Sequence, residues 1–164
     1  IMSLGSIRNI GAERVFLTST THGAEMSSLG AFIKTIEALK RDNVIQHVWD
    51  YGSTLIQEAN SLSKKHGLSK NVIFNGLGCS PNYLVMDNQG NNSFSLRTLF
   101  LQEMMKEKIL IPYIALSFSH GDSEMERTLL ALDKSFGVIK KAISGEVDNY
   151  LDSELVKPVF RKYN

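Results

Sequence analysis

The chain has 164 residues, of which 43% are hydrophobic and 21% are charged, and its formal net charge is +1. This composition is typical of a globular protein with one good core, and the balanced charge excludes bulk attraction to nucleic acid or anionic membranes. No apolar run is long enough to span a membrane. The single cysteine, Cys79, excludes an internal disulfide framework and indicates a reducing, cytoplasmic compartment.

The first patterned stretch is an apolar run, residues 14–17, followed by the hydroxyl-rich residues 18–21. A helical pattern begins directly afterwards, so the sequence predicts a strand, a polar turn and a helix N-terminus. Such a turn directs the hydroxyls of Ser19 and Thr20 and free backbone N–H groups towards one spot, which suits an anion such as phosphate. Ordinary N-capping by Ser and Thr explains the same residues, and both interpretations stay open.

Two amphipathic helices are predicted next, from Gly23 to about Lys40 and from about Val44 to Lys65. Small residues on their faces, including Gly30 and Gly52, predict close approach of another backbone, because Gly otherwise costs helix stability. We expect the apolar stripes of both helices to be incompletely covered within this chain. They should pack on another copy or on a missing domain.

The remaining sequence alternates short apolar runs with amphipathic segments. Residues 72–74 and 83–86 predict two strands around a turn-rich stretch, residues 75–81. Ser93 is expected to cap a third helix, and residues 113–118 predict a third strand. Asp122 or Ser123 should begin a last long helix, which ends at Gly145, before a basic-aromatic tail at residues 157–164.

These elements predict an α+β protein with a long N-terminal helical arm. The arm is followed by a small, mostly antiparallel sheet that helices cover on one side. We expect three parts: residues 1–22 as an arm and strand-turn from a larger domain, residues 23–66 as linking helices, and residues 67–164 as a C-terminal α+β domain.

Few side chains suggest chemistry by themselves. Cys79 could pair with a histidine as a nucleophile, but a small packed residue is the better interpretation. The four histidines, His22, His47, His66 and His120, have no metal-ligand spacing, so a zinc site is not expected. His120 lies between a strand end and a helix cap, where it either carries function or, as we favour, holds the turn together with a hydrogen bond.

Four segments carry a resemblance to a known family. Thr20-Thr21-His22-Gly23-Ala24-Glu25 resembles the T-x-x-G-N-P segment of class III aminotransferases, closest to the glutamate-1-semialdehyde aminomutase group, with Ala24-Glu25 where Asn-Pro is usual. Residues 99–110 resemble a helix of the small domain of that family, and Ser117-Phe118-Ser119-His120-Gly121-Asp122 resembles its S-x-x-H-T-D turn. Ile1-Met2 resembles the end of a segment that follows the family's Schiff-base lysine.

The resemblance implies the C-terminal part of a fold-type-I enzyme that uses pyridoxal 5'-phosphate to transfer amino groups on a small amino acid or semialdehyde. Thr20, with Ser19 beside it, would contact the cofactor phosphate. The lysine that binds the cofactor would belong to a missing N-terminal large domain, so the chain alone is expected to be inactive, and the intact enzyme would be a homodimer. The alternative is an α+β interaction or regulatory module without catalysis.

Overall fold

The computed structural model describes residues 25–156, which fall into two units, one ending at Asn43 and one beginning at Val44. In the first unit, helix α1 spans Met26–Arg41 and buries none of its residues. Its apolar side chains are largely exposed, at 79% for Met26 and 58% for Phe32. Residues 25–156 therefore leave the apolar stripe of α1 uncovered.

The second unit contains every other described element. These are α2 (Val44–Lys65), β1 (Val72–Leu77), β2 (Ser80–Val85), α3 (Phe94–Lys106), α4 (Asp122–Ile143) and a short 3-10 helix (Val147–Tyr150). The predicted bounds of α2 are confirmed, as is the start of α4 at Asp122. Ser93 caps α3 as expected, because its hydroxyl accepts the backbone N–H of Leu96. The three-part division of the intact protein stays a prediction.

Strands β1 and β2 form an antiparallel hairpin in which Leu77 pairs with Ser80. The predicted seven-residue turn, residues 75–81, is wrong, because both strands continue through it and leave only Gly78 and Cys79 as the turn. The hairpin tip lies directly on α2: a Cβ added at Gly52 would be 1.8 Å from the Gly78 carbonyl oxygen. This contact confirms the close approach expected at Gly52.

Helix α2 also completes the hydrogen bonding of the outer edge of β1. The Asn60 side-chain amide donates to the Phe74 carbonyl at 2.8 Å, and its oxygen accepts the Phe74 N–H at 2.9 Å. The Ser63 hydroxyl donates to the Val72 carbonyl at 2.7 Å. An edge that would otherwise present free backbone groups is therefore closed by side chains.

The predicted third strand, residues 113–118, is wrong: this segment has no strand structure. The carbonyls just before it bond to side chains instead of a neighbouring strand, since the Tyr83 hydroxyl donates to Ile111 at 2.6 Å and Arg97 donates to Pro112 at 3.2 Å. Ile114 and Leu116 still pack on the core. The alternating apolar pattern therefore indicated burial and not strand pairing.

The α+β class is confirmed, with the core of the second unit formed by the hairpin and the inner faces of α2, α3 and α4. Nine of its apolar residues are wholly inaccessible to solvent, namely Ala59, Val72, Leu99, Phe100, Met104, Leu132, Phe136, Ile139 and Ala142. None of the helices in residues 25–156 is long and apolar enough to cross a membrane.

Candidate functional site

The residues predicted to contact a cofactor phosphate, Thr20 and Ser19, lie outside the described residues 25–156. Their role therefore stays a prediction. The same holds for His22 and for the predicted strand at residues 14–17.

Inside the second unit, a cluster of rings forms where α2 meets the turn before α4. We call this cluster, His47, Tyr51, Phe118 and His120, the histidine junction. His47 and Tyr51 lie one helical turn apart on the same face of α2. Ring centroids of His47 and Phe118 are 5.1 Å apart in an edge-on arrangement, and those of Tyr51 and His120 are 5.7 Å apart. The junction thus joins residues that are about 70 positions apart in sequence.

Hydrogen bonds define how the two imidazoles are oriented. The Ser117 backbone N–H donates to His120 Nδ1 at 3.0 Å, so the neutral His120 ring carries its proton on Nε2. The His120 carbonyl accepts a hydrogen bond from His47 Nε2 at 2.8 Å. The predicted role of His120, a hydrogen bond that holds the turn together, is confirmed.

The pKa values of two groups, Tyr51 in the junction and Glu124 beside it, are shifted from their usual ranges. The backbone N–H of Gly121 donates to Glu124 at 2.9 Å, and this bond, followed by one from Ser123, lowers the pKa of the Glu124 carboxyl. Burial, and then the negative charge of Glu124, raises the pKa of Tyr51. Glu124 is therefore an ionised helix cap and Tyr51 a neutral phenol that can donate a hydrogen bond.

No lysine of the described range is placed for covalent catalysis. A nucleophilic lysine needs a neutral amine, which proteins obtain by burial or by a nearby cation. All ten lysines between residues 25 and 156 are exposed. A catalytic lysine needs a lowered pKa, whereas the pKa of Lys106 is raised by hydrogen bonds to Glu103 and then to Asp152. Covalent attachment of a carbonyl cofactor therefore does not fit this part of the chain.

Nucleophilic and metal chemistry have no support in the same range. Cys79 lies exposed at the hairpin tip and not packed in the core, so its expected burial is wrong. It makes no hydrogen bond to a histidine among the described residues. Residues 25–156 hold no group of three His, Cys, Asp or Glu side chains that could bind a metal ion.

One signal for the junction is visible in the sequence, although no single motif carries it. His47 and Tyr51 have the i, i+4 spacing that places two side chains on one helix face. The role of His120 in its turn could be recognised from the sequence. Its contact with α2 could not be predicted, because that contact depends on how α4 packs.

Comparison with known proteins adds a relative and a structural neighbour. No protein-family model matches the chain. Over 135 residues, 80% of the chain, it is 26% identical to a 3-aminobutyryl-CoA aminotransferase from Cloacimonas acidaminovorans (strain Evry). The chain spans about a third of that relative, 32% of its length.

The structural neighbour is FumI from Sphingopyxis sp. MTA144, solved in its PLP internal aldimine form. The TM-score is 0.59 at 17% sequence identity, over 68% of this chain and 27% of the neighbour. At this identity the likeness concerns the fold alone. The chain is thus similar in sequence to part of an aminotransferase and similar in fold to part of a pyridoxal-phosphate protein.

Proposed function

We propose that the chain is the C-terminal part of a class III, fold-type-I aminotransferase or a glutamate-1-semialdehyde 2,1-aminomutase-like enzyme. The intact protein would transfer an amino group on a small amino acid or semialdehyde. The observation that carries this proposal is the similarity to an aminotransferase over 80% of the chain. The resemblance of residues 20–25, 99–110 and 117–122 to class III motifs, in the same order, supports the finer assignment.

In this proposal the cofactor of the intact protein is pyridoxal 5'-phosphate, which supplies an electron sink for amino-group transfer. A missing N-terminal large domain would contribute the lysine that binds it. Two facts support a division of this kind: every described lysine is exposed, and the chain spans only a third of its relative. A cytoplasmic homodimer belongs to the same proposal.

This chain would contribute one contact to the cofactor and a rigid support for it. Thr20, assisted by Ser19, would hold the phosphate. The histidine junction connects the turn before α4 to the N-terminal half of α2 through a hydrogen bond and two ring contacts. Neither role requires proton transfer by residues 25–156.

The first test removes the phosphate contact. In the intact enzyme, Thr20→Val keeps the side-chain shape and removes the hydroxyl. A hydrogen bond to a charged group contributes about 1.5–3 kcal/mol, so cofactor affinity should fall about ten- to a hundred-fold. Thr21→Val is the matched control and should bind normally. Unchanged affinity in Thr20→Val would leave that residue as a helix cap.

The second test uses the 164-residue chain alone. It is titrated with pyridoxal phosphate and reduced with borohydride, and the labelled lysines are mapped by mass spectrometry. Solvent-exposed lysine amines are mostly protonated at neutral pH, so we expect scattered, sub-stoichiometric labelling and no transaminase turnover. A single stoichiometric site with turnover would contradict the assignment as a fragment.

Purification and assay of the intact protein distinguish the aminotransferase proposal from the alternative, an α+β interaction or regulatory module without catalysis. A longer protein that contains this chain, purifies without pyridoxal phosphate and shows no amino-group transfer would favour an interaction module.

A further inference from the structure

A small cavity of about 250 Å³ lies between the segment that follows α3 and the first two turns of α4. Three side chains that carry N–H donors line this cavity: Lys108 after α3, His120 in the turn before α4, and Arg127 within α4. Pockets for larger organic ligands measure roughly 300–1,000 Å³, so this one suits a small ion or group. The donors that line it indicate an anion.

The three donors are not used within the described part of the chain. The side chains of Lys108 and Arg127 are exposed and make no ion pair or hydrogen bond to another residue between 25 and 156. His120 Nδ1 accepts the Ser117 N–H at 3.0 Å, so the Nε2–H is the remaining donor of the neutral ring. This Nε2–H has no hydrogen-bond partner in the same range. Two cations and one imidazole N–H are therefore available to a ligand of the cavity.

Lys108 occupies a backbone position at which glycine is the usual residue. It has a φ of +64° and follows the C-terminal end of α3. The N–H groups of Lys108 and Ile109 donate back to the Met105 and Met104 carbonyls at 2.8 and 2.9 Å, which is the Schellman arrangement. A side chain is unfavourable at positive φ, so glycine would fit this turn better. The cavity supplies a reason for a lysine here, because its amine lies among the other donors.

One carboxylate, that of Glu124, also lines the cavity. Its oxygens accept the Gly121 N–H at 2.9 Å and the Ser123 hydroxyl at 2.8 Å, so it is occupied as a helix cap. Two cations outnumber this one carboxylate, and the lining keeps a net positive charge. A phosphate monoester carries about −1.5 to −2 charges and three strong acceptor oxygens, so it matches the number of free donors better than a carboxylate does.

We propose that this cavity binds a phosphate group. Arg127 and Lys108 would hold its charge, and the Nε2–H of His120 would donate a hydrogen bond to one oxygen. The ligand is either inorganic phosphate or the phosphate of a small organic molecule. The site uses none of the residues assigned to the cofactor phosphate and does not depend on the proposed enzymatic function.

NMR of the histidine rings tests the site directly. The full 164-residue chain is labelled with ¹⁵N-histidine, and inorganic phosphate is added at constant pH and ionic strength. The His120 ring signals are assigned by their loss in His120→Gln. We expect them to shift in a saturable way with phosphate but not with acetate. His120 signals that ignore phosphate, or that respond equally to acetate, would overturn the proposal.

Variants of the two cations separate a built site from general charge screening. Arg127→Gln should weaken phosphate binding about five- to tenfold, because it removes a charged donor. Lys140→Gln is the matched control, since it removes an exposed cation near the other end of α4, and it should leave the affinity unchanged. Equal weakening by both variants would mean that phosphate responds only to the overall charge of the protein.

Lys108→Gly distinguishes a binding role from a structural one. Glycine suits the positive φ, so the melting temperature should rise, whereas phosphate affinity should fall about fivefold because a cation is lost. A variant that is more stable and binds phosphate as well as the original chain would exclude Lys108 and overturn the site as proposed. Glycerol 3-phosphate in the same titration identifies the source of the ligand: tighter binding than inorganic phosphate indicates a phosphorylated molecule, and binding by either supports the proposal.

Discussion

Helices α1 and α4 have comparable amphipathic sequences, yet they differ completely in burial. Helix α4 buries six residues, including Leu132, Phe136 and Ile139, whereas α1 buries none. Helix α2 shows both behaviours, since Ile45 is 62% exposed near its start and Leu55 is 3% exposed further along. An amphipathic pattern thus predicts that a helix has an apolar face, but it does not determine whether the same chain covers that face.

The largest expected difference between the two helices concerns their phenylalanines. Phe136→Ala in α4 removes a wholly buried ring and should lower the free energy of unfolding by about 3–5 kcal/mol. Phe32→Ala in α1 removes a ring that is 58% exposed, so its effect should stay within about 0.5 kcal/mol. Urea unfolding of the chain measures both. Equal losses would mean that α1 is covered as well as α4.

Two helical glycines, Gly52 in α2 and Gly30 in α1, allow a second comparison of a covered and an exposed helix face. A Cβ added at Gly52 in α2 would collide with the Gly78 backbone, so Gly52→Ala should destabilise the fold by about 1–3 kcal/mol. A Cβ added at Gly30 in α1 has no atom of residues 25–156 within 4 Å, so Gly30→Ala should stabilise the helix by about 0.5–1 kcal/mol. Thermal unfolding gives the sign of each change. A destabilising Gly30→Ala would reveal a partner surface on α1.

The bond between α2 and the edge of β1 gives an effect of intermediate size. Asn60→Ala leaves the N–H and carbonyl of Phe74 without their side-chain partner, which should cost about 1–3 kcal/mol. Gln57→Ala, an exposed change on the same helix, is the control and should be nearly neutral. Similar values for the two variants, measured by urea unfolding, would show that water replaces the Asn60 amide without loss.

The smallest effect is expected from the contacts that Asp133 in α4 makes with Lys65, the last residue of α2, and with His66, which follows it. His66 at 2.9 Å and then Lys65 at 3.0 Å lower the pKa of Asp133. The ionised carboxylate therefore stabilises the fold above the unfolded pKa of about 3.9, and this contribution is lost as the pH falls through the lowered folded value. Because the Asp133 side chain is 38% exposed, solvent screens the pairs and the contribution is small.

Asp133→Asn should accordingly reduce the fall in melting temperature between about pH 6 and pH 3. Asp148→Asn is the control, because this carboxylate makes no ion pair within residues 25–156. A pH dependence that is unchanged by Asp133→Asn would show that the pairs contribute nothing.

Much of the second unit could be predicted from local chemistry. The start of α2, the Ser93 cap and the start of α4 each depend on residues within one turn, and all three predictions are confirmed. The hairpin was predicted too short, because Gly76 and Pro81 resemble turn residues. They pair across the hairpin instead, at a position where Gly76 has a φ of +98°. The close approach at Gly52 was also predictable, because Gly destabilises a helix interior and is expected there when another backbone packs closely against it.

The sequence by itself determined where α2, α3 and α4 begin and which helix faces are apolar, because capping and periodicity act over a few residues. It placed the start of the first helix at Gly23, whereas α1 begins at Met26. Only the tertiary structure decided that residues 113–118 lie unpaired beside the core and that His47 and Tyr51 meet His120. It also decided that, of the two helical glycines for which a close approach was predicted, Gly52 has a partner whereas Gly30 has none among residues 25–156. Strand pairing, ring contacts and burial depend on what lies opposite a residue, and that partner is distant in sequence.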